Sequence, residues 1–143
     1  RMKCALDNEG VSEPNDFAVA STIAAYEEGE PWLDAVCAYV QRNKDYAVDV
    51  INAAGCGARA LESDSTYLIW IDCRELLAEA GCDSSDAFTR FLRAETGLIL
   101  SSGDIYGSGG NGFVRMNLGT QRVHVEDGVA RFIKGCRAFA EEE

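Results

Sequence analysis

Apolar positions recur along this chain with two periods, and the changes of period divide it into elements. Between Asp16 and Glu28 the residues are mostly helix formers, many of them small (Ala18, Ala20, Ser21, Ala24 and Ala25). Pro14-Asn15-Asp16 supplies a helix start and Gly29 a stop. The pattern predicts a helix that another backbone can approach closely. Glu30-Pro31 opens a second helix, since a proline at the first helical position loses no needed N–H. Trp32, Val36, Val40, Tyr46, Ala47, Val50 and Ile51 then follow at helical spacing as far as Gly55. At 1.5 Å per residue this helix spans roughly 35 Å. That is more than one small sheet covers, so it is expected to reach a second domain or subunit.

Further on the period shortens. A short strand is expected around Ala58 to Leu61, and the aromatic and β-branched run Thr66 to Cys73 reads as a central strand covered on both faces. A helical turn at Glu75 to Ala80 precedes Asp83-Ser-Ser-Asp86, which starts a helix carrying Phe88, Phe91 and Leu92 to a stop at Gly97. A strand is expected at Leu98 to Leu100, followed by the longest loop, Ser101 to Gly112. From Phe113 to Leu118 the side chains alternate. Val114, Met116 and Leu118 share the core face, and Phe113, Arg115 and Asn117 share the other. Thr120 is expected to cap a last helix with an apolar face of Val129, Phe132, Ile133, Cys136 and Phe139, despite Gly128 and Gly135 in its interior. Arg1 to Glu13 reads as a ragged helix end and a linker. The order predicts the α/β class: a small mixed β-sheet covered on one face by helices, with a long N-terminal connecting helix. The other face, with Arg115, is left for a cleft.

Composition narrows the functions. A chain of 143 residues, 47% hydrophobic, suffices for one domain with a real core. A net charge of −11 argues against nucleic acid or an anionic membrane as partner, because both would repel it. No apolar run approaches the ~20 residues of a membrane helix, and Arg1-Met-Lys-Cys4 lacks the apolar core of a secretion signal, so a cytoplasmic protein is expected. The six cysteines, at positions 4, 37, 56, 73, 82 and 136, form no Cys-x-x-Cys pair and sit mostly in apolar segments, as reduced thiols do. The lone His124, expected at the surface, supports neither a metal site nor a nucleophile–histidine device. Gly107-x-Gly-Gly-x-Gly112 leads into a strand rather than a helix N-terminus, so it is not read as a phosphate cradle. Lys44 and Lys134 fall off the apolar stripes of their helices, and with Lys3 they are expected to be solvated.

The candidate chemistry lies in Arg115. A guanidinium presents a planar fork of donors that meets a carboxylate or phosphate two-pronged. By pattern alone two readings stay open, an anion receptor beside Asn117 or a solvated arginine on the open face of a sheet.

Four segments carry a resemblance. Glu13-Pro-Asn-Asp-Phe17, Ala24-Ala-Tyr-Glu-Glu-Gly-Glu-Pro-Trp-Leu-Asp34, Thr66-Tyr-Leu-Ile-Trp-Ile-Asp72 and Gly112-Phe-Val-Arg-Met-Asn117 resemble, in order and spacing, the C-terminal part of the class I/II aminotransferases. The chain is most similar to their cystathionine β-lyase-like branch. The resemblance implies the aspartate aminotransferase-like C-terminal (small) domain of a fold type I enzyme that uses pyridoxal 5'-phosphate (PLP). The parent would be an aminotransferase or a carbon–sulfur β-lyase acting on amino acids. In this family the arginine of the last motif binds the substrate's α-carboxylate, which by position is Arg115. Tyr67 is a second candidate, because the family brings that part of the strand near the active site, and the glycine-rich loop would edge the substrate cleft.

The cofactor lysine is expected upstream of Arg1. The resemblance therefore places no catalytic and no cofactor-binding residue in this chain, expects PLP in the full-length enzyme only, and expects the chain alone to be inactive. The implied partners are an N-terminal PLP-binding large domain, an amino acid substrate and a second copy in a homodimer. Residues 1–29 would be a linker and helix from the large-domain side, and 30–143 the small domain. The alternative is a non-catalytic α/β ligand- or protein-binding module in which Arg115 meets an acidic partner.

If the long helix and the Arg115 face lack their cover, the chain expressed alone folds but self-associates, because large exposed apolar patches promote association. Sedimentation at rising concentration checks this, and a monodisperse monomer at high concentration would contradict it.

Overall fold

Asn15 starts the first helix, α1 (Asp16–Glu28), by accepting a hydrogen bond from the Ala18 N–H at 2.8 Å, and Gly29 ends it. The computed structural model describes residues 14–141; the expected linker at residues 1–13, with Lys3 and Cys4, and the last two residues lie outside that range. The long second helix is α2 (Glu30–Ala53), 24 residues. The chain divides into two units inside this helix, one ending at Ala38 and one running from Tyr39.

In the first unit no residue of α1 is buried. Phe17, Ile23 and Tyr26 stand exposed, as do Trp32 and Leu33 on the first turn of α2. The apolar stripe expected along the whole of α2 is thus buried only in its second half, at Ala47 and Ile51, where it is joined by Asn43 and Lys44.

In the second unit four strands, β1 (Arg59–Ala60), β2 (Leu68–Asp72), β3 (Ser101–Ser102) and β4 (Phe113–Asn117), form a sheet in the order β1-β2-β4-β3. The α/β class holds. The sheet, expected to be mixed, is antiparallel at all three pairings. The helical connection from β2 to β3 does make these two strands run the same way, but β4 lies between them and pairs antiparallel with each. β2 is central as expected, yet only its Ile69 and Ile71 face is buried while Leu68, Trp70 and Asp72 are half-buried, so it is not covered on both faces. The strand expected at Leu98 to Leu100 is displaced. Leu98 and Leu100 pack against the core, but pairing begins at Ser101, opposite Arg115.

Helices α3 (Arg74–Glu79), α4 (Ser85–Thr96) and α5 (Arg122–Ala140) cover the core face. Ser84 caps α4 through a bond from the Ala87 N–H, and Gly97 ends it in the left-handed conformation. The core joins Ile69, Ile71, Val114 and Met116 of the sheet to Leu76, Phe88, Leu92, Val129 and Phe132 of the helices. Phe88 meets Phe132 edge-on, with ring centroids 6.1 Å apart. Gly135, unfavourable by propensity, lies where α5 meets α4: a Cβ there would come within 2.2 Å of Leu92 Cδ2. Among the described residues no helix is long and apolar enough to cross a membrane.

Thr120 does not cap α5. The N-cap is Gln121, which makes no side-chain cap bond, and the Tyr39 hydroxyl accepts the Arg122 N–H at 2.7 Å instead. The Thr120 carbonyl is already engaged: the buried Asn43 amide donates to the carbonyls of Thr120 (3.0 Å) and Leu118 (3.1 Å) and so ties the β4–α5 turn to α2. Asn43→Leu is apolar and similar in size, but it leaves the buried Leu118 carbonyl without its donor. Such a group costs about 1–3 kcal/mol, so Asn43→Leu lowers stability by that amount in urea unfolding. An unchanged midpoint would show that the clamp contributes nothing.

Candidate functional site

The exposed face of the sheet is set by cross-strand register. Trp70, Arg115 and Ser101 are partners across β2, β4 and β3, and Arg59, Asp72 and Phe113 are partners across β1, β2 and β4. Burial alternates along β4 as the sequence requires: Val114 and Met116 are buried, Phe113 and Arg115 half-buried, and Asn117 exposed. Arg115 therefore points into the face that the helices leave open.

The expected long loop is not structureless. Ser102 caps a 3-10 turn, Gly103–Tyr106, that folds Tyr106 back over the sheet. The Arg115 guanidinium carbon lies 4.5 Å from the centre of the Tyr106 ring, and Trp70 meets the same ring edge-on at 5.4 Å. Trp70, Tyr106 and Phe113, with Leu61, line a mostly apolar cleft of ≈ 390 Å³, rimmed by Glu62, Ser63, Gly109 and Gly110. That size and lining suit a small organic ligand. Tyr67 lies elsewhere. It is half-exposed just before β2, its carbonyl accepts the Leu118 N–H at 2.8 Å, and its ring packs over Gly119, so the structure does not bring it to Arg115.

Several of the neighbouring charges are matched. Arg74 meets Asp72 two-pronged, at 2.9 and 2.6 Å, and this holds the Asp72 carboxyl below its ordinary range and the Arg74 guanidinium above its own. Arg90, Arg122 and Arg131 pair with Asp86, Glu126 and Asp127. Arg115 rests on an aromatic face instead, and its N–H fork is not spent on a carboxylate of the described residues.

Lys44 corrects an expectation. It is buried, and its Nζ donates to the Ser63 carbonyl. It cannot hold a phosphorylated cofactor there, because Asp45, Asp49, Glu62 and Asp64 line the same depression and repel a phosphate. Lys134 is exposed and paired with Glu95. His124 is exposed, and no cluster of metal-binding side chains occurs among the described residues. Cys56, Cys73 and Cys136 belong to the core, Cys37 is exposed, and these with Cys82 are free thiols. A thiol–thiol hydrogen bond with Cys136 holds Cys56 below the usual thiol range and pushes Cys136 itself up, and burial pushes Cys73 up.

Comparison with known proteins finds relatives over nearly the whole chain. The chain is 38% identical over 130 residues to Protein MalY of Escherichia coli K12, covering 91% of this chain and 32% of that protein. It is 31% identical over 131 residues to cystathionine beta-lyase PatB of Bacillus subtilis 168, covering 92% of this chain and 33% of that protein. The crystal structure of the PLP-bound C-S lyase from Staphylococcus hominis superposes with a TM-score of 0.80 at 25% identity, over 92% of this chain and 34% of that one. The chain has the fold of the aminotransferase-like C-terminal domain, and over nearly its whole length it is similar to the cystathionine β-lyase-like branch of the class I/II, fold type I family. It spans about a third of the length of the curated relatives it matches. No family model matches the chain.

Within this aminotransferase-like domain, sequence reasoning missed Trp70 and Tyr106. Trp70 was within reach of it, since period-two alternation with Ile69 and Ile71 puts it on the Arg115 face. Tyr106 gave no signal, because only the fold of its loop returns it to the sheet. That fold depends on close backbone contact: a Cβ on Gly103 would lie 1.9 Å from the Gly110 carbonyl oxygen. Gly103→Ala must therefore displace the turn and separate Tyr106 from Trp70, at a cost of roughly 1–3 kcal/mol. Near-UV circular dichroism should change while far-UV ellipticity stays. An unaltered near-UV spectrum would show that the turn does not hold the ring.

Proposed function

We propose that this chain is the substrate-binding small domain of a PLP-dependent aminotransferase or carbon–sulfur β-lyase, and that Arg115 binds the α-carboxylate of an amino acid substrate. The observation that carries the reading is a half-buried arginine on the open face of the sheet, its fork unspent, beside an apolar cleft of ligand size. The names of its relatives and structural neighbours, cystathionine beta-lyase and PLP-bound C-S lyase, support the reaction class.

The cofactor supplies an electron sink common to both reactions. Its lysine belongs to another part of the protein, since Lys44 and Lys134 are unsuited to it. The role of this chain is positional: a substrate held two-pronged by its carboxylate keeps one orientation, and Trp70, Tyr106 and Phe113 offer apolar surface to the remainder. In the whole protein the exposed apolar residues of α1, Phe17, Ile23 and Tyr26, are covered by the N-terminal large domain, which makes residues 1–29 the large-domain side and 30–143 the small domain. The assembled enzyme is a homodimer.

Arg115→Lys in the full-length enzyme keeps the charge and loses the planar match. Breaking one side of a desolvated charged pair costs roughly 2–5 kcal/mol, and lysine recovers part of it. At about 1.4 kcal/mol per tenfold, kcat/KM for an α-amino acid falls at least ~10-fold, mostly through weaker binding. An amine without the carboxylate loses much less, and the bound PLP content is unchanged. Equal losses for both substrates would make Arg115 structural.

A further inference from the structure

We infer that Tyr106, braced by Trp70, is the positioning residue that presents Arg115 to the substrate carboxylate; this rests on the carboxylate-binding reading of Arg115. An arginine side chain is long and loses much rotamer freedom when it is held in one place. The usual restraint, an ion pair with a protein carboxylate, would occupy the N–H fork that a substrate needs. Stacking restrains the guanidinium through its face and leaves its donor edge free. The structure shows this second arrangement at Arg115, whose guanidinium carbon lies 4.5 Å from the Tyr106 ring centre. Of the three other arginines over aromatic rings among the described residues, Arg42 lies farther from its ring, 5.8 Å from the Tyr39 centre, and the other two differ from Arg115 in their forks. Arg74 lies over Phe113 with its fork spent on Asp72, and Arg122 over Tyr46 with its fork spent on Glu126 and the Arg42 carbonyl.

The Tyr106 ring is held from two directions. Trp70, the cross-strand partner of Arg115, meets it at 5.4 Å and 85°. The turn beneath it is anchored by the Ser102 hydroxyl, which donates to the Asp104 carboxylate at 3.0 Å, and by the same carboxylate accepting the Asp86 N–H at 3.1 Å at the start of α4. Tyr106 is itself exposed, and the core excludes it. Removing the ring therefore costs little stability, while Arg115 loses the surface it rests on.

The first test is made on the 143-residue chain. In the nitrogen–proton NMR spectrum of its arginines, the Arg115 Nε–H signal stands upfield, shifted by the Tyr106 ring current. Tyr106→Phe retains that shift and Tyr106→Leu abolishes it. The second test is kinetic, in the full-length enzyme. Tyr106→Leu raises KM for an α-amino acid roughly three- to tenfold, the range of an exposed to partly desolvated stacking contact. It leaves kcat nearly unchanged and raises KM less for an amine lacking the carboxylate, which loses only the apolar surface of the ring, while Tyr106→Phe keeps the wild-type preference between the two. An Arg115 signal indifferent to Tyr106→Leu overturns the inference, as does an equal loss on both substrates. Arg115→Met separates the two ideas. If it weakens only carboxylate-bearing substrates while Tyr106→Leu weakens neither, the carboxylate role stands and the positioning role falls. If Arg115→Met shows no such selectivity, the carboxylate reading itself falls.

Discussion

Strand β4 is buried on one face only, and every other feature of the second unit follows from that. Val114 and Met116 must enter the core, so Phe113 and Arg115 must leave it. Because β2 pairs with β4 in register, the same parity that buries Ile69 and Ile71 puts Trp70 beside Arg115. Helices α3, α4 and α5, with the second half of α2, supply the apolar surface that one face needs, while the other face carries the turn of Tyr106. A central strand with helices on both faces would have no room for an arginine at that position without burying its charge, at a large desolvation cost. The one-sided sheet is what makes a half-buried, usable guanidinium compatible with a close-packed core.

Charge is distributed to the same end. Although the chain is strongly acidic, two acids near the open face are matched: Asp72 is held by Arg74, and Asp104 is taken up by Ser102 and the N-terminus of α4. Arg115, next to the apolar cleft, is stacked on an aromatic ring. Away from this face, the polar groups of α2 brace the frame. Asn43 clamps the turn that leads out of β4, and Lys44 holds the segment after β1 through the Ser63 carbonyl.

Local rules made much of this legible in the sequence. Asn15, Ser84 and Gly97 mark helix ends by chemistry that acts within a turn, and the alternation from Phe113 to Leu118 assigns faces from side-chain direction alone. The role of Arg115 was different, since its pattern fits an anion receptor and a solvated arginine alike, and the receptor reading is a proposal that rests on the family resemblance. What escaped depends on partners far along the chain. Asn43 and Lys44 look like a solvent stripe until Leu118, Thr120 and Ser63 arrive to accept their hydrogen bonds. β3 begins at Ser101 rather than Leu98 because the register of β4, not local propensity, sets where pairing starts. Tyr106 reaches Arg115 only through the contact of Gly103 with Gly110, which no periodicity encodes.

The central claim is that the free edge of the Arg115 guanidinium receives a substrate carboxylate. A crystal structure of the full-length protein with an unreactive amino acid analogue tests it directly. The account predicts two parallel N–H···O contacts of about 2.7–2.9 Å between Arg115 and the α-carboxylate, with the guanidinium still stacked on Tyr106. A carboxylate bound elsewhere, with Arg115 left in solvent, would contradict it.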